Sequence, residues 1–262
     1  MRSPRPLLSL VLLAALTFAS VARADVRALR LDLKLDAAVT AGAALLQLGL
    51  NAGQLSPDAC RICSGGTIDN SVRDALRWPT EAGDRARRAS DLLMGIIIPV
   101  GALTNSALSA RSAGVPFAAV EDMVIELQAV MLAADLTGIV KIATARRRPA
   151  GDRTSMPGSR NRSFYSGHTS IAFSFAAAAG MVSTLRGYRS APWVWAIGMV
   201  LASGVGYLRI AGDAHWLSDV VVGAAVSGAL GAAVPYLFHR VRTKRLAGLE
   251  FGPAPNGLAI HF

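Results

Sequence analysis

The sequence predicts an all-α fold: a helical bundle embedded in a membrane, with about five to six apolar helices. Three observations predict it. Of the 262 residues, 52% are hydrophobic and only 17% are charged. From residue 91 the chain settles into long apolar segments, approximately 92–108, 119–140, 168–185, 192–208 and 219–238, each long enough for a membrane span or a fully buried helix. The last segment holds no charge between Val220 and Phe238 and carries Gly223, Ser227 and Gly231, a ladder of small residues that lets two helices approach closely.

The elements follow in chain order. Residues 1–24 read as a secretory signal peptide: Arg2 and Arg5, the apolar run LLSLVLLAALTFA, then Ala22-Arg23-Ala24 as a small-x-small cleavage site. Residues 25–90 form an exported N-terminal region of mixed character, with a weakly apolar run at 36–50 and a polar end, DRARRAS. Its Cys60 and Cys63, the chain's two cysteines, have no further metal ligands nearby, so after export they are expected to pair as a disulfide. Residues 91–246 form the main helical domain, and 247–262 a C-terminal tail, either extended against the bundle or disordered. Segment 119–140 is the weakest span, because Glu126 and Asp135 lie well inside it. Each acid costs about 2.5 to 3.5 kcal/mol at a span centre, so both must face a polar bundle interior if the segment crosses. The many alanines leave a soluble periplasmic bundle as the alternative.

A net charge of +10 points to anionic lipid, anionic substrate or nucleic acid. The hydrophobic fraction argues against nucleic acid, since many cations sit in short clusters between apolar runs. Two apolar segments separate YSGH (165–168) from RIAGDAH (209–215), so if both cross, these stretches share one face. Arg186, Arg189 and the tail HRVRTKR (239–245) then fall on the other face, where cation-rich loops stay inside. The site is therefore expected to face the periplasm or the outside. Arg85, Arg87 and Arg88 then lie outside against that rule, where they would meet an anionic substrate.

Three short stretches carry the chemistry. The first, KIATARRRP, sets Lys141 and Arg148 at a fixed offset, a compact charge and a planar fork suited to phosphate oxygens, with Pro149 ending any helix. In the second, FYSGHTS, Ser166 and Gly167 precede an apolar helix whose first turn carries His168, an arrangement that binds anions. The third supplies Arg209, His215 and Asp219, the last two spaced to meet on one helix face, where a carboxylate on one ring nitrogen leaves the other an oriented nucleophile. Asp213 is read as a loop or capping residue, and His239 and His261 as structural or solvated.

Together these stretches resemble the type 2 phosphatidic acid phosphatase and vanadium haloperoxidase superfamily, PAP2, whose signature runs Lys-x6-Arg-Pro, Pro-Ser-Gly-His and Ser-Arg-x5-His-x3-Asp. Order and spacing match; Tyr165 stands where the family has Pro, and Leu208 where it has Ser. The resemblance implies a PAP2-type bundle and a phosphatase acting through a phosphohistidine on His215, oriented by Asp219, with His168 as acid and then base. It also implies a phosphate cradle of Lys141, Arg148, Ser166, Gly167 and Arg209, and no metal or other cofactor. The substrate would be a phosphomonoester or pyrophosphate of a membrane lipid, with no nucleic-acid partner. The alternatives are a soluble exported acid phosphatase, a vanadate-dependent haloperoxidase and a non-catalytic lipid-binding membrane protein.

Overall fold

The computed structural model describes residues 26–52, 55, 57–151, 159–241, 250–254 and 257–261. The expected signal peptide at 1–24 lies outside these residues. Helix α1 (Leu33–Asn51) opens on Asp32, whose carboxylate accepts from the Lys34 and Leu35 N–H groups at 3.2 Å. After α2 (Thr67–Leu76), α3 (Thr80–Leu92) runs through a π turn (Leu93–Ile97) into α4 (Ile98–Ser112). Pro99 lacks the N–H that a regular ladder needs, and the π turn lies just before it. Then come α5 (Ala118–Thr144), α6 (Gly167–Arg186), α7 (Ala191–Ala211) and α8 (Leu217–Phe238). In the tail, strands β1 (Glu250–Ala254) and β2 (Gly257–His261) pair antiparallel as a hairpin.

The expected domain boundary at residue 90 falls inside the continuous helix Thr80–Ser112. Apolar periodicity begins near Leu92, but the helix starts twelve residues earlier with a polar turn that packs on the end of α7, so both sides of the boundary belong to one body. The run at 36–50 is likewise a helix packed along α5.

Among the described residues, Leu33–Asn51, Thr80–Ser112, Ala118–Thr144, Gly167–Arg186, Ala191–Ala211 and Leu217–Phe238 are long and apolar enough to cross a membrane. Their outward faces carry Ile96, Val100, Trp193, Ile197, Val200 and Val221, all exposed. So large an apolar surface is stable in lipid and unstable in water, so the bundle is an integral membrane protein. Asp122, Glu126 and Asp135 of α5 are buried in the bundle interior, as a span requires. Glu126 is fully buried and its Oε1 accepts from Ser106 Oγ at 2.7 Å. Asp122 takes the Arg186 guanidinium at 2.6 Å and the Tyr188 hydroxyl at 2.8 Å.

Helix α6 is the centre, packed against α5, α7 and α8. It meets α8 through the predicted ladder: Gly223 against the Ser166 backbone, Ser227 Oγ hydrogen-bonded to Ser170 Oγ, and Gly231 against the Ser174 backbone. A Cβ on Gly231 would sit 2.5 Å from Ser174 O, so only glycine allows this approach. On the other side of α6, Ala172, Phe175, Ala176 and Ala179 join Ile98, Val130, Ala202 and Val205 in the main apolar core.

The helices alternate in direction, which collects the loops at two ends. At one end lie the segment before α1, the α4–α5 and α6–α7 turns and His239, joined by backbone bonds from Arg27 N to Arg186 O and Arg30 N to Arg240 O. His239 is buried there, its ring nitrogens facing Arg30 O at 3.0 Å and Gln128 Oε1 at 2.8 Å, a structural role. The other end gathers α2, the start of α3, and all three chemistry-bearing stretches.

Candidate active site

The site is built where α5, α6, α7 and α8 end together. Helix α5 stops at Ala145, which takes a left-handed conformation with φ 44° and turns the chain so that Arg146 and Arg148 leave in extended backbone. Helix α6 begins at Ser166, whose Oγ accepts from Thr169 N at 3.4 Å and Thr169 Oγ1 at 2.9 Å. The Ser166 hydroxyl therefore caps the helix in a fully buried position; it was expected at a phosphate. Gly167 lies over the Lys141 stem, where a Cβ would meet Lys141 Cε at 3.5 Å.

His215 is buried between two partners. Its Nδ1 is 3.4 Å from Asp219 Oδ2, and its Nε2 is 3.3 Å from an Arg148 guanidinium nitrogen. Guanidinium only donates, so Nε2 is the acceptor and Nδ1 carries the proton toward Asp219. Burial first, then the charges of Arg148, Lys141 and Arg209, push the His215 pKa well below its ordinary value, keeping the ring neutral. Burial also lowers Arg148 to about 10, which leaves it charged at neutral pH.

Asp219 is fixed from several sides. Its Oδ2 accepts from Ser163 Oγ at 2.5 Å and Trp216 N at 3.0 Å, and its Oδ1 from Arg146 at 2.6 Å. Arg146 reaches onward to Asp69 of α2 at 2.6 Å. Burial pushes the Asp69 carboxyl up, but bonds from the Ser218 N–H and hydroxyl and from Arg146 outweigh it and hold the pKa low.

His168 stands in the first turn of α6, its Nε2 2.7 Å from Asp91 Oδ1. The same oxygen takes Arg209 at 3.0 Å, and Ser90 Oγ accepts from Arg209 at 3.0 Å. That hydroxyl comes from α3, since Leu208 offers none. Lys141 Nζ donates to Arg162 O at 2.9 Å, and Arg148 to Ser159 O at 2.9 Å and Ala214 O at 3.2 Å. Tyr165, at the other departure from the motif, is buried against α8 beside Gly223.

The structure thus brings His215, Asp219, His168, Lys141, Arg148 and Arg209 to one bundle end, with Gly167 beside Lys141. Asp213 has φ 56° and is gripped by Arg73 at 2.6 and 2.9 Å, a structural loop role. Sequence reasoning missed Asp91, Arg146, Ser163 and Asp69. Two signals were there to read: an acid at the lip of the first apolar segment, and three consecutive arginines of which only Arg148 was chosen.

Comparison with known proteins adds three findings. Residues 123–243 match the family model described as the PAP2 superfamily. A lipid A 1-phosphatase of Porphyromonas gingivalis is 38% identical over 103 residues, which cover 38% of this chain and 21% of that relative; the match thus spans about a fifth of the relative's length. A transmembrane PAP2 type phosphatidylglycerolphosphate phosphatase of Bacillus subtilis superposes with a TM-score of 0.48 at 17% identity, covering 77% of this chain and 94% of that one.

Proposed function

We propose that this chain, whose residues 123–243 match the PAP2 superfamily model, is a phosphatase that removes phosphate from phosphomonoester or pyrophosphate groups of membrane lipids, through a phosphohistidine on His215. One observation carries the reading: a neutral, buried His215, proton-bearing on the side of Asp219, presents Nε2 among Arg148, Lys141 and Arg209 at the end of an apolar bundle.

The steps follow from that geometry. Substrate oxygens displace the Arg148 contact at His215 Nε2 and are held by Arg148, Lys141, Arg209 and the helix start at Gly167. Nε2 attacks phosphorus; the P–O bond to the alcohol breaks as the P–N bond forms, and the Nδ1 proton is held by Asp219 as the ring becomes cationic. His168, its Nε2 fixed by Asp91, gives a proton to the leaving oxygen from the other ring nitrogen. It then takes one from the water that attacks the phosphohistidine, which releases inorganic phosphate and restores His215. The cations offset the charge that builds on the equatorial oxygens in both steps.

Lipid substrates are supported by the placement. A head group can enter the cationic pocket while its tail stays against the apolar faces of α7 and α8. The similarity to a lipid A 1-phosphatase points the same way, to a lipid phosphate. We also propose that the site faces the periplasm across a bacterial-type inner membrane. The test is phosphate release by detergent-purified protein in EDTA from a panel of lipid and water-soluble phosphates. Wild type is expected to hydrolyse lipid phosphates and His215→Ala to be inactive; equal activity in the variant would sink the histidine mechanism. A preference for water-soluble esters would favour the soluble-phosphatase reading of substrate.

A further inference from the structure

Beside the catalytic cluster, on the same end of the bundle, lies a polar cavity of about 380 Å³. It is lined by Arg77, Trp78, Thr80, Arg87 and Asp213, with Gly83 and Gly212 at its floor. The catalytic sequence does not use it, yet it is tied directly to the loop that carries His215. Trp78 N donates to Ala211 O at 3.0 Å, and Arg87 donates to Gly212 O. Gly212 packs so tightly against α3 that a Cβ there would meet Arg87 Cγ at 2.7 Å and Gly83 O at 3.1 Å. One short turn, Gly212 to Ala214, separates the cavity from the nucleophile, and Arg87 lies close enough to Arg148 to repel it.

The lining has the chemistry of a head-group site. Trp78 is pinned by its Nε1, 3.3 Å from the Tyr207 hydroxyl, with the two rings edge to face at 6.1 Å, and stays exposed as a platform for a sugar or polyol. Asp213 of the lining is paired with Arg73, and Asp84 nearby with Arg87. Arg77, exposed at the mouth, adds positive charge, and the volume falls within the range of small-molecule sites, about 300 to 1,000 Å³. An acyl chain gains nothing in so polar a space.

We propose that this cavity is a second subsite, which takes a sugar or polyol carrying a further anionic group on the alcohol side of the scissile phosphate. It rests on the phosphatase reading above and narrows it. The favoured substrates are lipids whose head group bears two anionic groups, and a plain phosphatidate, which has only acyl-bearing glycerol beyond its phosphate, is a poorer one.

The experiment compares kcat/KM in mixed detergent micelles for three lipids: phosphatidate, a diacylglycerol phosphoglycerol phosphate, and a two-sugar glycolipid with a phosphate on each sugar. Wild type is expected to prefer at least one doubly anionic lipid over phosphatidate. Arg77→Gln should cut that preference about tenfold, chiefly through KM, the size of a lost charge-assisted bond. Arg77→Lys should restore part of it. Which of the two doubly anionic lipids responds tells a phosphodiester from a second monoester. No preference in wild type, or a uniform fall for all three lipids, overturns the subsite. If wild type hydrolyses none of them, the phosphatase reading fails, and the subsite is judged by calorimetric binding of a hexose bisphosphate and a hexose monophosphate. Tighter binding of the bisphosphate that is lost in Arg77→Gln sustains it; equal binding sinks it.

Discussion

At Arg146 one guanidinium serves two carboxylates and two aromatic rings. It bonds Asp219 and Asp69 at 2.6 Å each, and its centre lies 5.8 Å from the ring centroids of both Phe164 and Trp216. A lysine is a point charge and cannot span both acids while stacked between rings. Arg146→Lys is therefore expected to lower kcat by about 10- to 100-fold, with KM little changed, because Asp219 loses its aim at His215 rather than the substrate losing a contact. Steady-state kinetics would show this, and a loss confined to KM would contradict it. His215 gives a second prediction. With its pKa held below the ordinary 6.5, the ring stays neutral through pH 6 to 8 and protonates only in more acid solution. Nitrogen-15 imidazole spectra in micelles should show the Nδ1–H tautomer throughout that range, and a signal titrating at 6.5 would refute the buried, cation-flanked setting. By linkage, this histidine's contribution to stability is complete above its ordinary pKa and is lost as pH falls toward the depressed one. The motif residues were legible because their spacing is local. Asp91 and Arg146 were not, because each owes its role to a partner far away in sequence: Arg209 for the first, Asp69 and Asp219 for the second.

Helix contacts were legible where small residues recur every fourth position, since that pattern has one geometric use. Gly231 is the tightest point of the α6–α8 seam, where an added Cβ has only Ser174 backbone to push against. Gly231→Val should lower the unfolding midpoint in detergent by several degrees, and should reduce activity as well, because the same seam sets His168 against His215. A thermal scan showing no shift would mean the helices have room to part. The N-terminal segments were less legible, since their partner is a loop. Cys60 and Cys63 form a disulfide that brackets Ile62, and Ile62 pairs with Arg146 in a parallel bridge. Arg61 N donates to Ala145 O at 3.0 Å and Arg147 N to Ile62 O at 2.9 Å, so the cystine loop splints the backbone that presents Arg146 and Arg148. Replacing both cysteines by serine should leave the bundle folded and slow phosphate release a few-fold, as the splinted arginines gain freedom. Dithiothreitol should do the same to wild type but not to the variant, and equal sensitivity in both would locate the effect elsewhere.

Across the whole molecule, two expectations drawn from the sequence meet and conflict. The disulfide sits at the site end, and such bonds persist in oxidising compartments, which argues for a site end outside the cytoplasm. Helix α1 runs parallel to α5, with Asp36 bonded to Gln128 at one end and Leu50 against Gly138 at the other, so α1 crosses if α5 crosses. Residue 26 then lies at the end opposite the site, which on that orientation would be the cytoplasmic end. A cleaved export signal at 1–24 would instead leave residue 26 outside. Composition alone cannot tell whether run 36–50 is a span or an exported surface helix; its packing on α5 favours a span. Counting cations does not decide the orientation, because site-end arginines such as Arg73, Arg146 and Arg209 are tied into ion pairs. We predict that the site end faces outward and that residues 1–24 are not removed. In a background with Cys60 and Cys63 replaced by serine, a cysteine placed at Thr67 should react with an impermeant maleimide on intact cells, and one at Ser112 only after permeabilisation. The intact mass of the purified chain should include the first 24 residues. A mass beginning at Asp25 together with outward labelling at Thr67 would mean that α1 does not cross, and a six-span bundle would give way to five.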